Sequence, residues 1–220
     1  MSRDLSDATL DELRLALADD VAANAAFDGW NAQAVAMAAL ANGVDADVAM
    51  LVYPGGAPDM IDAWFASIDD AMAQRFDGGA LDNMKIRQRI AALVEARLEL
   101  LSGKREALRR AQAILAMPQN LRRAARLGWR TADRMWRLAG DSATDYNHYS
   151  KRALLAGIYA ATAIVFVDDE SDDWAETRAF LSRRIDNVMQ FEKTKAKWLG
   201  STQYRPSLSR FIGRLRYPAV

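Results

Sequence analysis

Apolar residues recur along this chain at helical spacing, and no run alternates apolar and polar positions between hairpin turns. Leu10, Leu13, Leu17 and Val21 form one stripe of a helix over about 10–25, which Thr9 can cap and Asp28–Gly29 ends. Asn31 opens a second helix through Val35, Met37, Ala38 and Leu40. Asn42-Gly43-Val44-Asp45 then turns the chain into a short third segment that ends near Tyr53-Pro54-Gly55-Gly56. Helix, glycine turn, short helix is the outline of a helix-turn-helix.

Pro58 starts a helix with Met60, Ile61, Trp64, Phe65 and Ile68 on its apolar face, closed by Gly78-Gly79. Asp82 is positioned to cap a long helix through Ile86, Ile90, Leu93, Leu98 and Leu101. Gly103 separates it from a helix over 104–117, and Pro118 starts another that runs to Leu138. Two helices follow, over about 145–167 and 174–197. A polar stretch from Gly200 to Pro206 then detaches a last short helix over 207–216. The pattern predicts an all-α bundle of about nine helices plus this C-terminal one. Short connections make sequence neighbours antiparallel.

The segment Ala153–Val167 is apolar on every side and carries no charge. At 15 residues it is shorter than the roughly 20 needed to span a bilayer, so it is expected to be a central, buried helix. Its small residues (Ala153, Ala156, Gly157, Ala160, Ala161, Ala163) either allow close helix packing or leave room for an apolar ligand.

Charge changes the picture of the helix-turn-helix. The formal net charge is zero, yet residues 1–80 hold 3 basic and 14 acidic side chains and residues 81–220 hold 26 and 15, which predicts an electrically polar molecule with an acidic end and a basic end that faces the membrane. No Lys or Arg lies between Arg14 and Arg75, and the third segment (Asp45 to Val52) offers no group that reads base edges. Such a surface repels a phosphate backbone. Residues 104–137 hold ten basic side chains against Glu106 and Asp133, which reads as a solvated basic face or as contact with acidic lipid or a partner.

After Glu192 the chain has no acidic residue. Leu208, Phe211, Ile212 and Leu215 fall on one helical stripe, with Arg210 and Arg214 opposite, the pattern of a short interfacial helix that docks on a bilayer or on its own body. These six residues are the expected membrane contact.

Enzymatic chemistry finds little to work with. There is no cysteine, a single histidine, no glycine-rich phosphate loop and no repeated Glu-x-x-His. Asp145 and His148 have a spacing that can ligate metal, but one pair cannot complete a di-iron site, so no metal and no cofactor is expected. The N-terminal residues lack the features of a signal or transit peptide, which leaves a cytoplasmic product as the expectation.

One stretch is specific. Gly140-Asp141-Ser142-Ala143-Thr144-Asp145-Tyr146-Asn147-His148-Tyr149-Ser150-Lys151-Arg152, running on through Tyr159, is followed by Asp168-Asp169-Glu170-Ser171 and Phe180-Leu181-Ser182-Arg183-Arg184-Ile185. It resembles the ubiquinone-biosynthesis accessory proteins, lipid-binding partners of the di-iron demethoxyubiquinone hydroxylase.

The resemblance implies a fold similar to tetracycline-repressor (TetR)-type regulators, a homodimer, and an apolar cavity for isoprenoid quinone intermediates or phospholipid. It also implies peripheral attachment to the bacterial inner membrane. The implied division is a degenerate helix-turn-helix over 1–56, a ligand-binding and dimerisation body over 57–199, and a linker with membrane helix over 200–220. The expected cavity lining is Trp129, Trp136, Leu154, Leu155, Ile158, Tyr159 and Thr162. The family's Asp-Phe/Tyr-Asn-Trp-Tyr surface for the hydroxylase maps onto Asp145, Tyr146, Asn147, His148 and Tyr149, with Arg152 beside it, and His148 stands where the family usually has Trp. The competing class is a ligand-sensing TetR-type transcriptional regulator, which needs the same cavity and a basic reading head.

Overall fold

The chain was examined as a computed structural model, which describes residues 5, 7–141 and 146–200, with side chains over 5, 7–141 and 148–187. These residues form helices and turns, with no strand among them.

The first helix is interrupted. Thr9 caps α1 (Leu10–Ala16), its side chain accepting from the Glu12 amide while Glu12 reaches back to the Thr9 amide at 2.9 Å. Leu17 separates it from α2 (Ala18–Asp28). Asn31 caps α3 (Ala32–Ala41) and Asp45 caps α4 (Ala46–Leu51), each accepting two backbone amides of the first turn. Gly43 between them has φ +68°, a conformation that glycine adopts without strain. The helix-turn-helix outline is therefore present.

It shares the core of the body instead of standing apart from it. Trp30, beyond α2, donates its indole N–H to the Ala107 carbonyl at 3.1 Å and stacks against Trp64 at 5.4 Å. The hydrophobic cluster runs without a break from Leu13 and Val35 to Leu181 and Ile185.

Helix α5 (Ala57–Arg75) buries Met60, Ile61, Trp64, Phe65, Ile68 and Met72. The next helix, α6 (Ile86–Leu101), begins three residues later than expected. Asp82 does not cap it; Lys85 occupies the cap position, and the Asp82 carbonyl accepts from Arg89 at 2.9 Å. After α7 (Arg105–Leu115), α8 (Leu121–Leu138) runs antiparallel to α9 (Tyr146–Asp168), which α10 (Ala175–Gly200) follows back.

Two expectations from sequence need correction. The apolar helix α9 is not central: Ala153, Gly157 and Ala160 are exposed, with Leu154 at 37% and Ile164 at 60%. It is a wall of the body, with Leu155, Tyr159, Ala163 and Phe166 facing in. His148–Asp168 is long and apolar enough to cross a membrane, yet it is held among α7, α8 and α10.

The acidic and basic halves of the sequence are not opposite ends of the molecule either. The aspartates of α5 meet the arginines of α8 in a row: Asp59 with Arg123, Asp62 with Arg130 (2.5 Å) and Arg126 (3.5 Å), Asp70 with Arg134 (3.0 Å). Much of the basic face is satisfied internally, and these pairs align α5 with α8.

Candidate functional site

The segment that carries the sequence resemblance lies where α8 meets the start of α9. Arg152 is the centre of the arrangement. It is buried, and its Nε donates to Asp133 at 2.5 Å while its Nη1 donates to Asp141 at 3.2 Å and to the His148 carbonyl at 3.1 Å. Lys151 joins Asp141 at 2.8 Å, and Trp136 donates its indole N–H to the Lys151 carbonyl at 3.0 Å. Burial works to raise the pKa of both carboxyls. Hydrogen bonds from Arg152 to Asp133, and from Lys151 and Arg152 to Asp141, outweigh it and hold both below the usual carboxylate range.

Outside this ionic lock lie three rings. The centroids of Trp129 and His148 are 6.5 Å apart, those of Trp129 and Tyr149 6.0 Å, and those of His148 and Tyr149 5.1 Å. Tyr149 is 62% exposed. Trp129, expected with the cavity lining, is thus in the same ring group as the expected partner contacts. Arg152, expected among those contacts, lies beneath the surface and fixes its geometry. Asp145 is outside the described residues, as are the side chains of Tyr146 and Asn147 and the whole expected membrane helix (Leu208, Arg210, Phe211, Ile212, Arg214 and Leu215).

The remaining expected cavity residues divide between faces of α9 and α8. Leu155, Tyr159 and Thr162 point into the core, Thr162 bonding the Ile158 carbonyl at 2.7 Å. Ile158 and Trp136 are half-buried, and Leu154 turns outward. A cleft of about 320 Å³ between α5 and α8 is lined by Ala66, Asp69 and Asp70 on one side and Arg130, Asp133, Arg134 and Arg137 on the other. None of the seven expected cavity residues borders it.

Beside this cleft is a buried polar group that sequence reasoning missed. Asp69 accepts from Thr131 at 3.1 Å and pairs with Arg97 at 3.4 Å, and the Arg97 guanidinium lies 5.1 Å from the Tyr159 ring. A signal for it existed. Asp69 stands one turn after Phe65, and Arg97 stands between Leu93 and Leu101 on the apolar stripes of their helices, where a solvated charge would not be placed.

The Asp168-Asp169-Glu170-Ser171 motif closes the far end of α9. Asp169 accepts from the Ser171 amide (2.9 Å) and hydroxyl (2.5 Å) and from the Thr177 amide (2.8 Å) and hydroxyl (2.6 Å). Burial favours its neutral form, but these four bonds prevail and its pKa is far below the ordinary value. Arg105 caps the same turn through the Val167 (3.0 Å) and Asp169 (2.5 Å) carbonyls. Helix α10 thereby starts back along α9.

At the helix-turn-helix, the exposed surface of α3 and α4 presents Met37, Leu40, Val48 and Leu51 with Asp45 and Asp47. It offers no cation to a phosphate.

Comparison with known proteins bears on the segment just described. A family model described as COQ9 matches residues 121–192, which span α8, α9 and most of α10. The ubiquinone biosynthesis protein COQ9, mitochondrial, of Rattus norvegicus is 33% identical over 180 residues, covering 79% of this chain and 57% of the relative. Its Homo sapiens counterpart is 32% identical over 181 residues, covering 79% and 56%. The chain therefore spans somewhat over half the length of these relatives. Among solved structures, a TetR transcriptional regulator from Nitrosomonas europaea ATCC 19718 superposes with a TM-score of 0.64 at 23% identity, covering 80% of this chain and 98% of that one. The fold is TetR-like.

Proposed function

Because the chain belongs to the COQ9 family, we propose that it serves ubiquinone biosynthesis as a non-catalytic accessory protein that holds an isoprenoid quinone precursor, or another lipid, at a membrane face. It presents that lipid to the di-iron demethoxyubiquinone hydroxylase. The observation that carries this reading is the family match over 121–192, the stretch that builds both the α9 wall and the Trp129–His148–Tyr149 surface.

In this proposal the lipid lies against the inward face of α9, around Leu155, Tyr159 and Thr162, with Ile158 and Trp136 at its margin. Leu154 and the exposed side of α9, uncharged from Ala153 to Val167, belong to the surface that a homodimer buries. The hydroxylase meets the ring group at the start of α9, where Asp145, Tyr146 and Asn147 continue the motif. The amphipathic stripe over 207–216, which follows α10 in the chain, docks on the inner membrane of a bacterial cell.

Aromatic rings that are half in water suit an interface, where a large apolar face and a polar tip are both used. The test is co-elution of the full chain with the purified hydroxylase on size exclusion. A complex is expected, and its absence in the presence of lipid would remove the partner from this account. A regulator of transcription is disfavoured by the acidic reading head, and salt-dependent DNA binding at nanomolar affinity would reverse that judgement.

A further inference from the structure

Arg97 has no exposed surface, and its guanidinium lies between the rings of Phe65 (5.3 Å) and Tyr159 (5.1 Å). Asp69 forms an ion pair on its Nε side at 3.4 Å and Nη2 donates to Thr131 at 3.4 Å, but neither Nε nor Nη1 has a hydrogen-bond acceptor. The Tyr159 hydroxyl, buried beside it, has none either. Buried donors in folded proteins are nearly always paired, and unpaired ones side by side point to an acceptor that is not part of the chain, a water or a ligand.

The chemistry of that acceptor is constrained. Nη1 can only donate and the Tyr159 hydroxyl is free to donate, so a ligand oxygen that accepts satisfies both. Asp69 pairs with Arg97 and lies 3.6 Å from Arg130, whose charge Asp62 meets at 2.5 Å, so two carboxylates offset the two guanidinium charges, which favours a neutral acceptor over an anion. Leu155, one turn before Tyr159, and Phe65 beside Arg97 are apolar, which suits a ligand that is otherwise hydrocarbon. We propose that Arg97 Nη1 and Tyr159 Oη anchor a ring carbonyl of a quinone-type ligand inside the body. This rests on the reading that the protein holds a quinone precursor, and deepens it by naming the part of the ligand recognised and the residues that recognise it. Burial pushes the Tyr159 pKa up, so the hydroxyl keeps its proton to donate at neutral pH.

The test uses the full chain and its Tyr159→Phe variant, a substitution that deletes one oxygen. The probes are a decyl-substituted dimethoxybenzoquinone, decylbenzene as the same tail without oxygens, and phosphatidylglycerol, each followed by tryptophan fluorescence. The wild type is expected to prefer the quinone to decylbenzene. Tyr159→Phe is expected to lose about tenfold in quinone affinity and none for decylbenzene. The ligand-free variant should melt no lower than the wild type, since it has lost an unpaired buried hydroxyl. Unchanged quinone affinity, or a lower melting temperature of the ligand-free variant, would assign the hydroxyl an internal role and overturn the proposal. Phosphatidylglycerol binding that falls in parallel would make the acceptor a phosphate and overturn the quinone assignment. If the wild type binds none of the three probes, the lipid-holding reading itself fails, and the anchor with it.

Discussion

Arg152→Met keeps the aliphatic stem and removes the guanidinium that joins α8, the residue 141 turn and α9. Three charge-assisted hydrogen bonds are lost, to Asp133 (2.5 Å), Asp141 (3.2 Å) and the His148 carbonyl (3.1 Å). Each such bond contributes about 1.5–3 kcal/mol. Two features lower the total. Asp133 keeps Arg137 at 2.7 Å and Asp141 keeps Lys151 at 2.8 Å, so neither carboxylate is stranded, and the cost of desolvating the guanidinium is returned. The net loss should be about 2–4 kcal/mol, at the low end of what breaking a buried pair costs. For a chain of this length that lowers the thermal midpoint by roughly 5–15 °C. Urea unfolding followed by circular dichroism measures it, with the slope against denaturant unchanged. Arg152→Lys should recover less than half, because a point charge cannot serve two carboxylates and a carbonyl at once. A loss below about 0.5 kcal/mol would show that Arg137, Lys151 and water already satisfy the site, and the idea of an ionic lock beneath the ring surface would be wrong.

Acid sensitivity follows from the depressed carboxyls. Asp133, Asp141 and Asp169 all have folded pKa values below the ordinary one, so the unfolded chain takes up protons first as pH falls. Their contribution is complete above about pH 5 and is lost as pH drops below about 4, which a pH series of urea midpoints would reveal. Asp169→Asn should shallow that decline and cost about 2–4 kcal/mol at neutral pH, since an amide can accept only part of what Ser171 and Thr177 donate. At the other end of the chain, replacing Phe211 and Leu215 with Asp should abolish flotation with anionic liposomes and leave the melting of the body unchanged. Unaltered flotation would mean that the membrane contact lies elsewhere.

Where local chemistry decides structure, the fold was legible in the sequence. Thr9 caps α1, Asn31 opens α3 and Gly43 makes its turn, because side-chain oxygens near free amides and a missing Cβ act within a few residues. Asp82 is not the cap, since the chain turns through 80–84 before α6 begins, and Arg89 holds that turn through the Asp82 and Met84 carbonyls, contacts that no local pattern reveals. The α9 helix was misread because a uniformly apolar stretch does not distinguish a central helix from a wall with one side exposed. Segregated charge was misread for a similar reason. Pairing of Asp59, Asp62 and Asp70 with Arg123, Arg130 and Arg134 joins positions 64, 68 and 64 residues apart.

The ring surface was half legible. Tyr149 came from the motif, whereas Trp129 joins it only because α8 runs antiparallel to α9. The Asp69–Arg97–Tyr159 group was passed over because charge was weighed by segment; the sharper question was which charges interrupt an apolar stripe.

Organic extraction of the purified full chain, with mass spectrometry of what co-purifies, tests the central claim most directly. The account predicts a prenylated aromatic or quinone species in near-stoichiometric amount, reduced in Tyr159→Phe. Protein that carries no isoprenoid and no phospholipid, and acquires none from membranes containing them, would contradict it.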